Sequence, residues 1–320
     1  MKCLLAAIGL SLALPALAQS PLSFEQYVQS LQQEALAQGI RPQTLTASFA
    51  DVHFIERAVK HDRSQPEHKL TLDEYLPKAV PAWKIKQAKG LYRQHQALLT
   101  RIGAQYGVAP RFIVALWGIE TNFGKLTGGF PLISSLTTLA YEGRREAFFK
   151  QQLFAALQII DEGHIPAEQM IGSWAGAMGQ VQFMPTSFLS YAQDGDGDGR
   201  KDLWHSQADV FASAANYLHQ VGWQANQTWG RAVQPPKGLD PALLGLEQQR
   251  SLAQWQALGV RNAWGGPLPK ADMHASLIQP DDGAGRSYLV YDNYRALMHW
   301  NRSHYFALAV STLADAIVAP

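Results

Sequence analysis

The sequence predicts a mainly α protein of the α+β class, with a small β-containing part late in the chain. Three observations predict it. Apolar residues recur at helical spacing through most of the segments before residue 221 and again from Asn293 to Val318. Between Trp229 and Tyr288 the composition shifts to Pro235-Pro236, Gly265-Gly266-Pro267 and Asp281-Asp282-Gly283, with strand-like runs at Asp272–Ile278 and Ser287–Tyr291. At 320 residues and 47% hydrophobic content, the chain can bury a large core and more than one subdomain.

Residues 1–18 read as a secretory leader: Lys2, an apolar run from Leu4 to Leu14, then the small-x-small site Ala16-Leu17-Ala18. The run is too short to span a bilayer, and no later stretch is long and apolar enough to do so. Cys3 is the sole cysteine and precedes the apolar run, so it is not placed as a lipid-bearing cysteine, and residues 19–320 contain no thiol, disulfide or cysteine-held zinc. Without Lys2, 26 of the 27 basic residues remain against 26 acidic ones. That balance argues against a nucleic-acid binder. An exported, periplasmic protein without a transmembrane span is expected.

In order, helices are expected at Phe24–Ala37, closed by Gly39, and at Thr44–Phe49. Asp62-Arg63-Ser64-Gln65-Pro66-Glu67 reads as a loop whose charges tie neighbouring elements together, its proline forcing extended backbone at Gln65. Leu72–Leu76 carries Tyr75, and one long helical run is expected over Trp83–Tyr106. The next helix starts at Pro110, stops near Gly124, and carries Glu120 on the face of Ile113, Leu116 and Trp117. A carboxyl on such a face is partly desolvated and its pKa rises, which is what a general acid needs near neutral pH; the other reading is an exposed glutamate near a helix end.

A further helix is expected from Ser134 or Ser135, and another over Phe148–Glu162. Between them, Arg144-Arg145 is either a solvated helix start or a clamp for planar oxygen acceptors such as acetamido, lactyl or carboxylate groups. The segment 172–185 is too rich in glycine for a helix interior. Its Ser173, Gln180 and Gln182 offer neutral hydrogen-bonding groups, and Phe183 and Met184 apolar surface. That mixture suits a sugar better than a phosphate; a tightly packed turn is the alternative.

Asp194-Gly195-Asp196-Gly197-Asp198-Gly199-Arg200 has the opening spacing of an EF-hand calcium loop, with the Arg200 carbonyl at position 7. Position 12 is His205 where a glutamate is usual, and Asp209, opening a helix expected over Val210–Gln220, is the best substitute. Three aspartates so close repel one another without a cation. A structural Ca2+ is expected there, against an acidic solvated turn, and no organic cofactor. No phosphate loop, zinc-protease helix or serine nucleophile elbow is present.

These residues resemble the lytic murein transglycosylase B family. The resemblance rests on Ile119-Glu120-Thr121-Asn122-Phe123-Gly124, on Ser173 to Ser187, on the Asp194 loop, on Asp62 to Glu67, and on Trp300-Asn301-Arg302-Ser303. It implies a lysozyme-like helical core at 83–228 holding the calcium loop, flanking helices at 19–82, a small β-containing insertion at 229–291 and a returning C-terminal helix at 292–320. It implies cleavage of the β-1,4 bond between N-acetylmuramic acid and N-acetylglucosamine in peptidoglycan without water, leaving 1,6-anhydro-muramyl ends. Glu120 matches the acid/base. Ser173, Gln182, Arg144, Arg145, Tyr217, Asn301 and Tyr75 match glycan-contacting positions, and Asp194, Asp196, Asp198, Arg200 and Asp209 the metal loop. Trp300 and Phe306 stand where tyrosines are usual, with Tyr305 beside Phe306, so the resemblance carries ring stacking there and not hydroxyl contacts.

Glycan strands of peptidoglycan are the implied partner, and a monomer is expected. Ordinary glycoside hydrolysis uses two carboxylates. The active stretch supplies one, which suffices if the muramyl 6-hydroxyl attacks in place of water. A water-using muramidase and a non-catalytic peptidoglycan-binding protein are the alternatives.

Overall fold

The computed structural model describes residues 22–64, 70–281 and 285–320. The expected leader at 1–18, the Gln65-Pro66-Glu67 part of the polar segment and Asp282-Gly283 lie outside the described residues. The class is as expected: fourteen α-helices among the described residues surround one large core, and a five-stranded sheet holds a second.

Helices α1 (Phe24–Ala37) and α2 (Pro42–Phe49) begin at a Ser23 capping box and at Pro42, and Gly39 between them is left-handed (φ 91°). Helix α3 (Glu56–Arg63) contains Asp62 and Arg63, so the expected loop starts only after them. Its charges do tie elements together: Asp62 receives Arg144, and Arg63 donates from Nε to Glu142 (3.0 Å). Helix α4 (Leu72–Ala79) follows a Thr71 capping box.

The single helix expected over 83–106 is two, α5 (Ala82–Gln94) and α6 (Gln96–Tyr106), broken at His95. Neither glycine nor proline marks the break. The His95 ring sits edge-on to Trp117 and Phe211, at 6.0 and 5.4 Å, and that tertiary seat sets the bend.

Helix α7 (Pro110–Thr121) is the centre of the fold. Phe112 to Gly118 are all buried, the mark of a helix enclosed on every side. It stops at Asn122, earlier than Gly124. Asn122, Phe123 and Gly124 are successively left-handed (φ 50°, 60° and 78°), and Phe123 N–H returns to the Trp117 carbonyl at 3.1 Å. Phe123 thereby folds beneath the helix against Trp117 and Gly118.

A short strand, β1 (Phe130–Pro131), leads into α8 (Leu132–Glu142), which starts before the expected serines: Pro131 occupies the N-cap position without a side-chain bond, and Leu132 N–H bonds Met170 O at 3.0 Å. Helix α9 (Glu146–Asp161) packs along α8, and strand β2 (Ile171–Gly172) pairs with β1. Helix α10 (Pro185–Tyr191) opens on Pro185, and α11 (Gln207–Gln220) starts at its Ser206 cap, three residues before the expected Val210.

The later segment contributes β3 (Gly230–Gln234), β4 (Gln249–Ser251), α12 (Leu252–Ala257), β5 (Arg261–Asn262), β6 (His274–Ile278) and β7 (Ser287–Val290). The sheet is antiparallel, in the order β4-β6-β7-β3-β5, with Leu277 opposite Leu289 in its middle. Of these strands β6 and β7 match the strand-like runs; β3, β4 and β5 are too short and mixed to announce themselves. Trp229 Nε1 donates to Asp315 at 2.9 Å and ties the sheet to the helical body.

The expected C-terminal helix is also two, α13 (Asp292–Trp300) and α14 (His304–Val318). The intervening Asn301 accepts from Ser303 N–H (3.2 Å) and Ser303 from Phe306 N–H (3.3 Å), so side chains replace the helical bonds there. Helix α14 lies against α7.

That contact needs a glycine. A Cβ on Gly118 would lie 2.6 Å from the Phe123 ring and 3.1 Å from Leu313. Alanine favours a helix over glycine by about 1 kcal/mol, while overpacking a core costs about 1–3 kcal/mol. Gly118→Ala is therefore expected to lose stability by about 1 kcal/mol net in urea denaturation; a gain would show that α7 and α14 are not in close register.

Candidate functional site

The site is built on the end of α7. Glu120 is part-buried, and withdrawal from water pushes its carboxyl up to about 7, opposed by one hydrogen bond that favours the charged form. That bond comes from Trp300, whose indole Nε1 donates to Oε1 at 2.7 Å. No carboxylate among the described residues contributes to the shift. The desolvated reading of Glu120 is the one the geometry bears out.

Trp300 ends α13 and is wedged among rings, 4.6 Å from Tyr217 and 5.3 Å from Phe183 between centroids. Tyr217, buried on α11, donates its hydroxyl to the His299 carbonyl at 3.0 Å and lies 3.2 Å from the His299 ring nitrogen. Tyr75 of α4 faces the same carboxyl: burial raises its pKa first, and the negative charge of Glu120 raises it further. The Tyr75 ring meets Tyr305 at 5.3 Å, and the Tyr305 hydroxyl is bonded to Leu70 O (2.9 Å) and to Asp281. Phe306 is buried in the core and Asn301 is exposed at the α13–α14 corner.

The glycine-rich segment is both things the sequence offered. As a packed turn, it is held by Gln180, whose Oε1 accepts from Trp117 Nε1 (2.8 Å) and whose Nε2 donates to Trp204 O (2.8 Å). Gln180 is 5% exposed, so it serves the scaffold and is not a surface amide. As a binding surface, Ser173 and Gln182 line an open groove of about 480 Å3 with Lys125, Thr127, Phe130 and Trp174. Gln182 has φ 50° and donates to Thr127 O and Gly179 O, which fixes its amide in the groove wall. Ser173 Oγ accepts from Ala177 N–H at 3.0 Å. A Cβ on Gly128 would meet Gly172 O at 2.1 Å, so the close approach of these two backbones requires glycine at 128.

The arginine pair divides. Arg144 donates from Nε to Asp62 Oδ2 (2.8 Å) and from Nη2 to Asp62 O (2.9 Å), while Arg145 lies over the Phe148 and Phe149 rings. A larger cavity of about 580 Å3, bounded by Gln38, Gln158 and Leu189, includes Asp161, already bonded to Arg41 and Thr44.

In the acidic loop, carboxylate oxygens of Asp194, Asp196 and Asp209 all lie within 4.8 Å of one another. Asp209 is wholly buried, accepts from Gly195 and Asp202 N–H groups, and comes back from α11 as the sequence suggested. Asp194 accepts from the Gly197, Asp198 and Gly199 N–H groups. Asp198 instead accepts from Arg200 N–H (2.8 Å) and stands apart from the convergent three. His205 pairs with Asp202 and is turned to solvent. Three converging carboxylates, one of them buried, fit a hard divalent cation.

Sequence reasoning missed the Trp300–Glu120 bond and the scaffold role of Gln180. The first joins residues 180 positions apart, and no spacing rule announces it. For the second, the signal was a glutamine directly after a glycine in a segment too small-sided to leave it free.

The comparisons with known proteins agree with this geometry. The chain is 31% identical over 248 residues to the membrane-bound lytic murein transglycosylase B of Escherichia coli K12, a match covering 76% of this chain and 66% of that one, just under two thirds of its length. It superposes on SltB3 of Pseudomonas aeruginosa, solved with NAG-anhNAM-pentapeptide, with a TM-score of 0.90 and 45% identity over 92% of this chain and 79% of that one. The Escherichia coli lytic transglycosylase Slt35, solved with calcium, gives 0.79 and 27% over 91% and 92%. A family model described as the transglycosylase SLT domain matches residues 23–315, and the chain belongs to that family of lytic transglycosylases.

Proposed function

We propose that this protein cleaves the β-1,4 bond between N-acetylmuramic acid and N-acetylglucosamine in peptidoglycan strands without consuming water, and that Glu120 performs both proton transfers. The observation that carries the reading is a lone, desolvated carboxyl with a pKa of about 7, held by Trp300, whose ring packs on Phe183, the chain neighbour of Gln182 in the groove wall. Protonated, Glu120 gives its proton to the glycosidic oxygen as the C–O bond breaks. The resulting carboxylate then takes the proton of the muramyl 6-hydroxyl, whose oxygen closes on the anomeric carbon. The proton returns to Glu120 and a 1,6-anhydro ring forms. The nucleophile is already part of the same sugar, so proximity replaces an activated water. The anhydro sugar held in the Pseudomonas SltB3 complex supports this outcome.

Ser173 and Gln182 are proposed to bind the sugar amide and hydroxyl groups, with Tyr75, Tyr217 and Trp300 shaping the apolar side; Phe306, expected to stack on the sugar, is buried in the core and is read as support beneath that side. Arg144, Arg145 and Asn301 are read as outer contacts, Arg144 through the part of its guanidinium not engaged by Asp62. A hydrolytic muramidase needs a second carboxylate poised on a water, and the lack of any such influence on Glu120 among the described residues weighs against it. Residues 19–320 are read as one catalytic unit behind a leader at 1–18, a reading under which the protein works in the periplasm. Among the described residues no helix is long and apolar enough to cross a membrane.

A divalent cation, calcium by the chemistry of its donors, is proposed to be held by Asp194, Asp196 and Asp209, with Asp198 and the Arg200 carbonyl completing the loop. When bound it neutralises converging carboxylates and fixes the loop that carries Leu203 and Trp204 to Gln180. It is a structural clip, and none of its proposed ligands handles the proton.

Three outcomes test these readings. Glu120→Gln is expected to release no fragments from purified sacculi while still binding them, and wild-type products are expected by mass spectrometry to be one water lighter than hydrolytic ones. Full-mass products, or an active variant, would overturn the mechanism.

The second outcome concerns pH. The folded-state pKa of Glu120, about 7, lies above the ordinary value of 4.5, so the folded protein holds the proton more tightly and the neutral acid is the state it favours. Stability falls as pH rises from 4.5 to about 7, and turnover falls as the acid ionises above about 7. Glu120→Gln, which stays neutral, should therefore be more stable than wild type at pH 7 and above, by on the order of 3 kcal/mol, with the difference vanishing toward pH 4.5. An equal difference at both ends would show that the carboxyl is not desolvated.

Third, chelation, or Asp209→Asn, is expected to lower the thermal midpoint by several degrees, as loss of a ligand specific to the folded state does. An unchanged midpoint on chelation would argue that the loop holds no ion.

A further inference from the structure

We propose that Trp300 is a positioning residue that makes Glu120 a one-oxygen proton shuttle: the indole N–H holds Oε1, and Oε2 alone delivers and recovers the proton. The inference rests on the reading of Glu120 as both acid and base.

The geometry begins with a short bond, 2.7 Å from Trp300 Nε1 to Glu120 Oε1. An indole N–H donates and cannot accept. Of the two oxygens of a neutral carboxylic acid, the carbonyl oxygen is the better acceptor, so the N–H selects Oε1 as the carbonyl and leaves the proton on Oε2. A hydroxyl in this place could accept from a protonated Oε1 as readily as donate to an ionised one; the indole removes that second arrangement. The selection also survives the reaction. When Oε2 loses its proton, Oε1 stays bonded to the same N–H, and the bond strengthens because its acceptor is now charged.

The indole has little freedom to let go. Its ring is flanked by Tyr217 and Phe183, and Tyr217 is itself anchored to His299. Other groups near the carboxyl do not compete for it. Tyr75 faces it from α4, and burial together with the charge of Glu120 keeps its hydroxyl protonated. Tyr305 and Asp281 are bonded to each other behind Tyr75, His299 is engaged by Tyr217, and His95 packs edge-on to Trp117. Among the described residues no cation contributes to the state of Glu120.

A mechanical consequence follows. Both the glycosidic oxygen and the muramyl 6-hydroxyl must reach the same atom, one after the other, so the sugar rather than the carboxyl turns between the two transfers.

The bond can be observed without turnover. In 15N-labelled protein the Trp300 indole resonance, assigned by its loss in Trp300→Phe, is expected to move downfield with a midpoint near 7 as Glu120 ionises, and to stop titrating in Glu120→Gln. An indole that does not follow pH in the wild type overturns the proposal. Trp300→Phe keeps an aromatic ring and removes the donor. It is expected to lower kcat about tenfold or more, as loss of a hydrogen bond to a charged group does, to leave KM within about twofold, and to move the alkaline limb of the pH profile upward. Trp300→Tyr, which restores a donor, is expected to recover part of the rate. A Trp300→Phe enzyme with unchanged kcat and pH profile would also overturn it. Failure of the function itself reads differently: the resonance titrates, but sacculi treated with the wild type release nothing.

Discussion

The buried amide of Gln180 is the constraint on which the site depends. It receives the Trp117 indole from α7, donates to the Trp204 carbonyl, and is met by Gln207 Nε2 of α11 at 3.2 Å, while its backbone N–H bonds Leu203 O at 2.7 Å. Four parts of the chain are thus fastened to one side chain: the acid-bearing helix, the glycine-rich segment, the end of the acidic loop and α11. A buried polar network of this kind is favourable only when every member is satisfied, so it admits one arrangement. Gly124 permits it, because a Cβ there would lie 2.4 Å from Gln180 Oε1. The run of left-handed backbone at 122–124 follows from the need to bring this small residue under the amide.

Around that fastening the protein sets up a conflict and leaves it unresolved. Burial opposes charge on Glu120, and the nearest donor, Trp300, supports charge. Burial wins, the Trp300 bond only limits it, and the carboxyl titrates near 7, where giving and taking a proton are almost equally easy. A salt bridge to an arginine would have held the group ionised. Arginines are available nearby in sequence, but Arg144 is committed to Asp62 and Arg145 to the rings of its own helix. The ion pairs serve to join α3 to the α8–α9 corner.

The sequence revealed whatever is local. Pro110, the apolar face leading to Glu120, the glycine-rich segment and the aspartate spacing each carry their meaning within about a dozen residues. The return of Asp209 to Asp194 and Asp196 was also legible, because a loop lacking its usual last ligand must find another. What stayed hidden depends on distant partners. The break at His95 is made by Trp117 and Phe211, and the break after Trp300 by a local exchange of bonds that helical periodicity overrides on paper. The arginine pair looked the same whether it met solvent, a ligand or Asp62. Trp300 looked like a stacking surface because the atom that matters, its ring nitrogen, finds its partner only in three dimensions.

The distance along the chain between Glu120 and Trp300 has a consequence for the order of assembly. Helix α7 emerges from the ribosome with its acid long before α13 and α14 exist, and the core face that α14 covers is open until then. Until the last few dozen residues fold back, the carboxyl has neither its donor nor its apolar cover, and it behaves as an ordinary exposed glutamate. The chain therefore carries its own timing: the groove can form early, but the acid acquires its character only when α13 and α14 have folded back onto α7. For a protein proposed to cut a covalent wall, activity is thereby reserved for molecules whose C-terminal helices have docked.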